Sequence, residues 1–203
     1  NKILFRNEIE NKTSVPVLGE IVQTKGEEAV SITEGKRTVI AEQFRALRTN
    51  LAFMGFNESH KPLLITSSVS GEGKSFIAVN MAMSITLTGK KVALMEMDLR
   101  KPKLSKKMGL NKDPGISSYL VGKASIDDII KKTPYNNLYL ISSGPIPPNP
   151  TELIGKPEFG VMMAELNKRF DYIIIDTAPI GPVTDAQLLT VYADTTIFVV
   201  RHA

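Results

Sequence analysis

The sequence predicts an α/β protein, a mostly parallel, doubly wound sheet with helices on both faces, and three observations carry that reading. Apolar runs of strand length at 63–66, 91–97, 138–141, 172–175 and 195–200 alternate with longer segments of helical periodicity, as a buried parallel sheet requires. A loop bearing two glycines, 68–75, joins the first of these runs to a helical segment. Carboxylates stand at the ends of two further runs, Glu96 and Asp98 at one and Asp176 at another.

Taken in order, the N-terminal segment holds a predicted short strand at 17–22. Segment 40–54 sets Ile40, Phe44, Leu47 and Leu51 on one apolar stripe of a helix. Run 63–66 is the strand before the glycine-bearing loop, and 75–88 is the helix after it, stopped by Gly89. Run 91–97 reads as a buried strand, while 115–121 and 125–132 read as short helices parted by Gly122. Strand 138–141 enters 142–150, a loop stiffened by four prolines. Segment 157–170 is helical, 172–175 and 195–200 are fully buried strands, and Asp185 starts a helix between them. His60 falls in a surface loop. The organisation expected is an N-terminal segment over 1–36 that packs on a core over 37–203. Because 195–200 has the pattern of a buried strand with no helix after it, that core is expected to be incomplete at its C-terminus.

Composition narrows the function. At 42% apolar and 23% charged residues the chain has the make-up of a folded domain, and no run approaches the eighteen apolar residues of a membrane span. It has no cysteine, which excludes disulfides and thiolate metal sites, and His60 and His202 alone leave little for zinc. A net charge of +4 is too mild to point to nucleic acid, and none is expected as a partner.

The loop 68–75 reads S-V-S-G-E-G-K-S between a strand and a helix, which makes it a phosphate-binding P-loop and the fold a P-loop NTPase. Ser70, Gly71, Glu72, Gly73, Lys74, Ser75 and Phe76 form the expected nucleotide cradle, with backbone N–H groups and the helix N-terminus turned toward an anion. Lys74 is expected at the β- and γ-phosphates of ATP and Ser75 at Mg²⁺. Ser68 stands where the usual pattern begins with glycine. Asp176, after the apolar run 172–175, has the Walker B position that holds the Mg²⁺ shell beside the P-loop serine. Glu96 and Asp98, two apart in a strand, project to one side, where one can be a metal ligand and the other a proton acceptor. For Glu96 a solvated strand-end carboxylate is the alternative.

These motifs, in this order, resemble the bacterial tyrosine kinases that regulate capsule and exopolysaccharide synthesis. The resemblance rests on loop 68–75, on Glu96-Met97-Asp98-Leu99-Arg100, on Asp176, on the helix motif of Glu42, Arg45 and Arg48, and on the stretch 147–153. It implies an ATP-dependent protein-tyrosine kinase that autophosphorylates in trans, with Lys74, Glu96, Asp98 and Asp176 catalytic and Ser75, Asp98 and Asp176 at the metal. Glu96 stands where the family has the first aspartate of its acidic pair, the pair implicated in metal binding and in activating the tyrosine hydroxyl. Arg100, the first of a basic run that also holds Lys101, Lys103, Lys106 and Lys107, would assist nucleotide binding. Glu42, Arg45 and Arg48, which from spacing alone read as an exposed intrahelical ion pair, would make the contacts of a homo-oligomeric ring. That ring would bring the tyrosine-rich tail of one subunit to its neighbour's site. A membrane-spanning co-polymerase region upstream would make this the cytoplasmic domain of a bacterial inner-membrane protein.

The five tyrosines here, Tyr119, Tyr135, Tyr139, Tyr172 and Tyr192, are dispersed and form no such tail. The rival reading is a switch ATPase of the partition and cell-division type acting as a scaffold. Those proteins carry a further lysine at the second P-loop position, where Val69 stands. A small-molecule kinase or synthetase ranks third, since no acceptor pocket is evident.

Overall fold

In the computed structural model, which describes residues 5–23, 29–35, 37–57, 62–181 and 184–202, the apolar runs assemble into one six-stranded sheet. Its strands are β1 (Pro62–Ser67), β2 (Val92–Glu96), β3 (Ile130–Lys132), β4 (Leu138–Ile141), β5 (Tyr172–Asp176) and β6 (Thr195–Val199), ordered β3-β4-β2-β5-β1-β6. Every pairing is parallel except that of β3 with β4 at one edge. The helices are α1 (Arg6–Glu10), α2 (Val39–Phe53), α3 (Lys74–Thr86), α4 (Leu104–Lys107), α5 (Ile116–Leu120), α6 (Ile126–Ile129), α7 (Pro150–Ile154), α8 (Pro157–Arg169) and α9 (Asp185–Leu189), the last followed by a 3₁₀ turn, Thr190–Tyr192.

The period of two along each strand sorts the core into two layers. Leu63, Ile65, Val92, Leu94 and Ile174 join Phe44, Leu47 and Leu51 of α2 and the buried length of α3 on one face. Leu64, Ala93, Met95, Ile173 and Ile175 join α5 and α8, through Ile116, Phe159, Met162 and Leu166, on the other. Burying a side chain such as Phe44 or Phe159, both fully enclosed, contributes roughly 1.5–3 kcal/mol each. The stripe Ile40, Phe44, Leu47 and Leu51 faces inward as its spacing requires, and Thr38 caps α2 by accepting from Ala41 N at 3.2 Å.

Three expectations need correction. Segment 17–22 is not a strand. It runs irregularly along α2, where Val22 N donates to Gln43 Oε1 at 3.1 Å and Leu18 O accepts from Asn50 Nδ2 at 2.9 Å, so helix side chains take the backbone groups that a ladder would have used. Segment 125–132 is helical only over α6. Ser125 and Asp128 close a capping box at its start, and the chain then turns into β3, pairing Ile130 with Ile141 and Lys132 with Tyr139 on the open edge of β4. Finally, β6 is half-exposed rather than fully buried, with Phe198 45% accessible, because among the described residues it pairs only with β1. His60 lies outside the described residues.

Parallel strands bring their carboxyl ends to one rim, so the segments after β1, β2, β4, β5 and β6 all converge there. That is where the phosphate loop and the acidic residues meet.

Candidate active site

The P-loop leaves β1 and enters α3. Gly71 and Gly73 carry φ of +92° and +99°, the left-handed region in which a side chain is strained, and Gly73 is the residue from which α3 starts. Ser68 is not among the positive-φ residues, so its side chain is tolerated where the usual pattern has glycine. Lys74 is buried at the first position of α3, while Ser70 is exposed on the loop. The ring of Phe76 meets Phe44 edge-on at 6.0 Å, which commits that side chain to the layer between α2 and α3. The loop is braced from several sides. Val69 N donates to Glu72 Oε2 at 2.8 Å, Arg201 Nη1 donates to Gly71 O at 3.0 Å, and Gly181 N donates to Ser68 O at 3.1 Å.

Asp176 ends β5 beside this loop and is 2% exposed. Burial first, and the charges of Asp98 and Glu96 after it, push its carboxyl up to about 7, against the pull of a hydrogen bond from Ser75 and the charge of Lys74. Its Oδ1 has no hydrogen-bond partner among the described residues. An unpartnered buried carboxylate oxygen beside a serine hydroxyl fits a Mg²⁺ ion, which uses one or two carboxylates and completes its shell with phosphate and water. Among the described residues no group of three or more His, Asp or Glu could hold a metal ion by itself.

The acidic pair divides. β2 ends at Glu96, so Asp98 lies beyond the strand, half-buried, with its Oδ1 accepting from Lys101 N at 3.0 Å. Glu96 is 1% exposed, so it is no solvated strand end. Its Oε1 accepts from Leu104 N at 2.6 Å and Ser105 N at 3.1 Å, and its Oε2 from Ser143 N at 3.2 Å. It ties the start of α4 and the segment after β4 to the end of β2. Asp176 thus has Ser75 as a hydrogen-bond neighbour and Lys74, Asp98 and Glu96 near enough to act on its charge, with Glu96 itself engaged by backbone amides.

Arg100 does not point freely toward that place. Its Nε donates to Asp185 Oδ2 at 2.8 Å, and its Nη2 to Asp185 Oδ1 at 3.1 Å and Thr151 Oγ1 at 2.9 Å. The first residue of α9 is thus more than a helix start: Asp185 is wholly buried and charge-paired. Sequence reasoning missed Gly181, Ser143 and Arg201 as well, and gave Thr151 no role within the stretch 147–153, since each acts through a backbone or long-range contact that leaves no local pattern.

Glu42, Arg45 and Arg48 lie on α2, outside the P-loop, and split in two. Arg45 pairs with Glu42 at 2.5 Å, both about half exposed. Arg48 turns inward and donates to Ser84 O and, at 3.2 Å, to Ser84 Oγ, stapling α2 to α3. Burial, followed by the neighbouring Arg45, lowers its pKa. Ser84 is ten residues beyond Lys74, about 15 Å along α3.

Comparison with known proteins agrees with this geometry. A family described as an AAA domain matches residues 61–202. The putative tyrosine-protein kinase CapB of Staphylococcus aureus is 39% identical over 152 residues, covering 75% of this chain and 67% of that protein. The tyrosine-protein kinase Wzc of Salmonella typhi is 36% identical over 193 residues, 95% of this chain but 27% of the relative. The crystal structure of the chimerical protein CapA2B2 superposes with a TM-score of 0.88 at 32% identity, covering 96% of this chain and 84% of that one. The septum site-determining protein MinD of Pyrococcus horikoshii, at 23% identity and a TM-score of 0.59, shares the fold.

Proposed function

This chain belongs to the bacterial tyrosine-kinase family, and we propose that it transfers the γ-phosphoryl group of ATP to protein tyrosines in trans, within a homo-oligomer that regulates capsular or exopolysaccharide synthesis. The observation that carries this reading is Asp176. A fully buried carboxylate with an unpartnered Oδ1, next to Ser75 and Lys74, is costly to keep unless the site is built to receive positive charge.

In this reading the loop amides from Ser70 to Phe76 and the ammonium of Lys74 would hold the β- and γ-phosphates, while Ser75 and Asp176 would hold Mg²⁺ and Asp98 is left for the proton. Mg²⁺, when bound, supplies charge neutralisation to the phosphate oxygens. The tyrosine oxygen bonds to the γ-phosphorus as the bond from that phosphorus to the oxygen of ADP breaks, and Asp98 accepts the hydroxyl proton. Three amide hydrogen bonds occupy Glu96, which supports assigning it to shaping the site and Asp98 to the proton. Arg100 contributes by ordering the segment that carries Asp98.

All five tyrosines are half-buried, Tyr172 against Phe56 and Tyr192 against Phe159, which supports an acceptor tail supplied by a neighbouring subunit. The exposed pair of Glu42 and Arg45 is the part of the α2 motif available to a neighbour. The reading extends to a cytoplasmic site at the inner membrane, held there by a membrane-spanning co-polymerase region. No described helix is long and apolar enough to cross a membrane, so that region would lie outside these residues.

The test incubates the protein with Mg²⁺, radiolabelled ATP and a tyrosine-rich tail peptide, with Lys74→Met as control, and locates phosphate by mass spectrometry. Phosphotyrosine that disappears in Lys74→Met is the expected result. ATP binding with no phosphotyrosine in either protein overturns the kinase reading in favour of a nucleotide-dependent scaffold.

A further inference from the structure

Asp185 is fully buried, and a buried carboxylate is retained only where it is paired and hydrogen-bonded. Its partner is the guanidinium of Arg100, which meets both carboxylate oxygens in the two-pronged geometry that arginine alone provides. Thr151 completes a closed triangle. Its hydroxyl accepts from Arg100 Nη2 at 2.9 Å and donates to Asp185 Oδ1 at 2.8 Å, so each member satisfies the other two.

The three residues come from three different strand exits. Arg100 follows β2, Thr151 is in α7 after β4, and Asp185 opens α9 after β5, with α7 and α9 packed together. Arg100 is two residues beyond Asp98, and Asp98 Oδ1 accepts from Lys101 N at 3.0 Å. The short turn 98–101 is therefore held internally by Asp98 and externally by the triangle.

We propose that Asp185 and Thr151 are positioning residues for phosphoryl transfer, which act through Arg100 to fix the turn that presents Asp98 to the tyrosine hydroxyl. The proposal rests on the kinase reading of the site. Neither residue belongs to the P-loop. Their contribution is to placement, where a displacement of about 1 Å at the reacting group can cost on the order of 100-fold in rate.

The experiment compares Thr151→Val, which keeps the shape and removes the hydroxyl, with Thr151→Ser, which restores it, and adds Asp185→Asn. Tyrosine-peptide phosphorylation gives kcat and the KM for ATP, and amide hydrogen exchange follows Lys101 N–H. Thr151→Val should lower kcat about 10-fold with KM for ATP changed less than about twofold, and should speed exchange at Lys101. Thr151→Ser should restore both, and Asp185→Asn should lower kcat further. Unchanged kcat in Thr151→Val, or a loss that Thr151→Ser does not recover, overturns the proposal. If the unsubstituted protein makes no phosphotyrosine, the kinase reading has failed, and exchange at Lys101 still decides whether the triangle holds the turn: unchanged exchange rejects it.

Discussion

Asp176 and Glu96 are register partners on adjacent strands, yet Glu96 accepts three backbone N–H groups while Asp176 leaves Oδ1 with none. Two buried acids side by side in one sheet are thereby given opposite tasks. The satisfied carboxylate holds chain segments together. The unsatisfied one is an open position for a cation, because an ionised carboxylate that burial has stripped of water needs compensation and no N–H donor supplies it at Oδ1.

The first prediction follows from Asp176. Its folded pKa, raised from 3.8 to about 7, means that between those values the native state holds more protons than the unfolded chain. Stability contributed by this group therefore falls as pH rises through that window, and the whole penalty, at most about 4 kcal/mol, is present above it. Asp176→Asn should be the more stable protein in urea unfolding at pH 8 without nucleotide, with its advantage shrinking toward pH 4. Adding Mg²⁺ and ATP should reverse the order, since the unsubstituted protein gains stability from binding and Asp176→Asn does not.

Glu96→Gln separates structure from chemistry. A carboxamide offers one acceptor oxygen and turns an NH₂ toward an N–H donor, so at least one of the three amide bonds is lost at a cost of about 1–3 kcal/mol. The expected outcome is a lower urea midpoint with kcat per folded molecule reduced less than about 10-fold. Asp98→Asn should instead lower kcat by about 100-fold or more at nearly unchanged stability, the signature of a lost proton acceptor.

How far the sequence shows this site depends on the range of the interaction. β4 falls at the predicted 138–141, and Lys74, Ser75 and Asp176 come together, because continuous apolar runs of strand length and a glycine-bearing loop are local signals. The partners of Glu96 are backbone amides of residues 104, 105 and 143, which no side-chain pattern announces. Arg100 and Asp185 are 85 positions apart, so a basic run and a helix start gave no hint of each other. The strand expected at 17–22 fails for a related reason: its apolar residues Leu18 and Ile21 do pack on the core, but polar side chains of α2 meet the backbone first.

Arg45 and Arg48 should behave differently although they occupy one motif. The Arg45 pair with Glu42 is exposed and worth a few tenths of a kcal/mol, so Arg45→Ala should leave the melting temperature within about 1 °C. If α2 meets a neighbour, that variant should still lower the assembled mass in light scattering. Arg48→Ala removes donors to Ser84 O and Oγ inside the protein and should cost about 1–3 kcal/mol, or several degrees in melting temperature. An Arg48→Ala protein with an unchanged melting curve would show that the staple between α2 and α3 contributes nothing.

Gly181 tests whether the segment after β5 sets the shape of the P-loop. Its φ is not positive, so space alone requires glycine there: a Cβ would stand 2.6 Å from Ser68 O, well inside contact distance. Accommodating it means moving the backbone at the entrance of the P-loop, since Gly181 N also donates to Ser68 O and Ile180 N to Ser67 O. Gly181→Ala should therefore weaken ATP binding, measured by calorimetry, by about 10-fold, close to 1.4 kcal/mol. Gly155→Ala is the matched control, because its added Cβ meets backbone oxygens only at 3.6 Å and beyond, an ordinary contact. Equal ATP affinity in the two variants would mean that the loop tolerates displacement at Ser68, and that the phosphate cradle is fixed by α3 and the left-handed glycines alone.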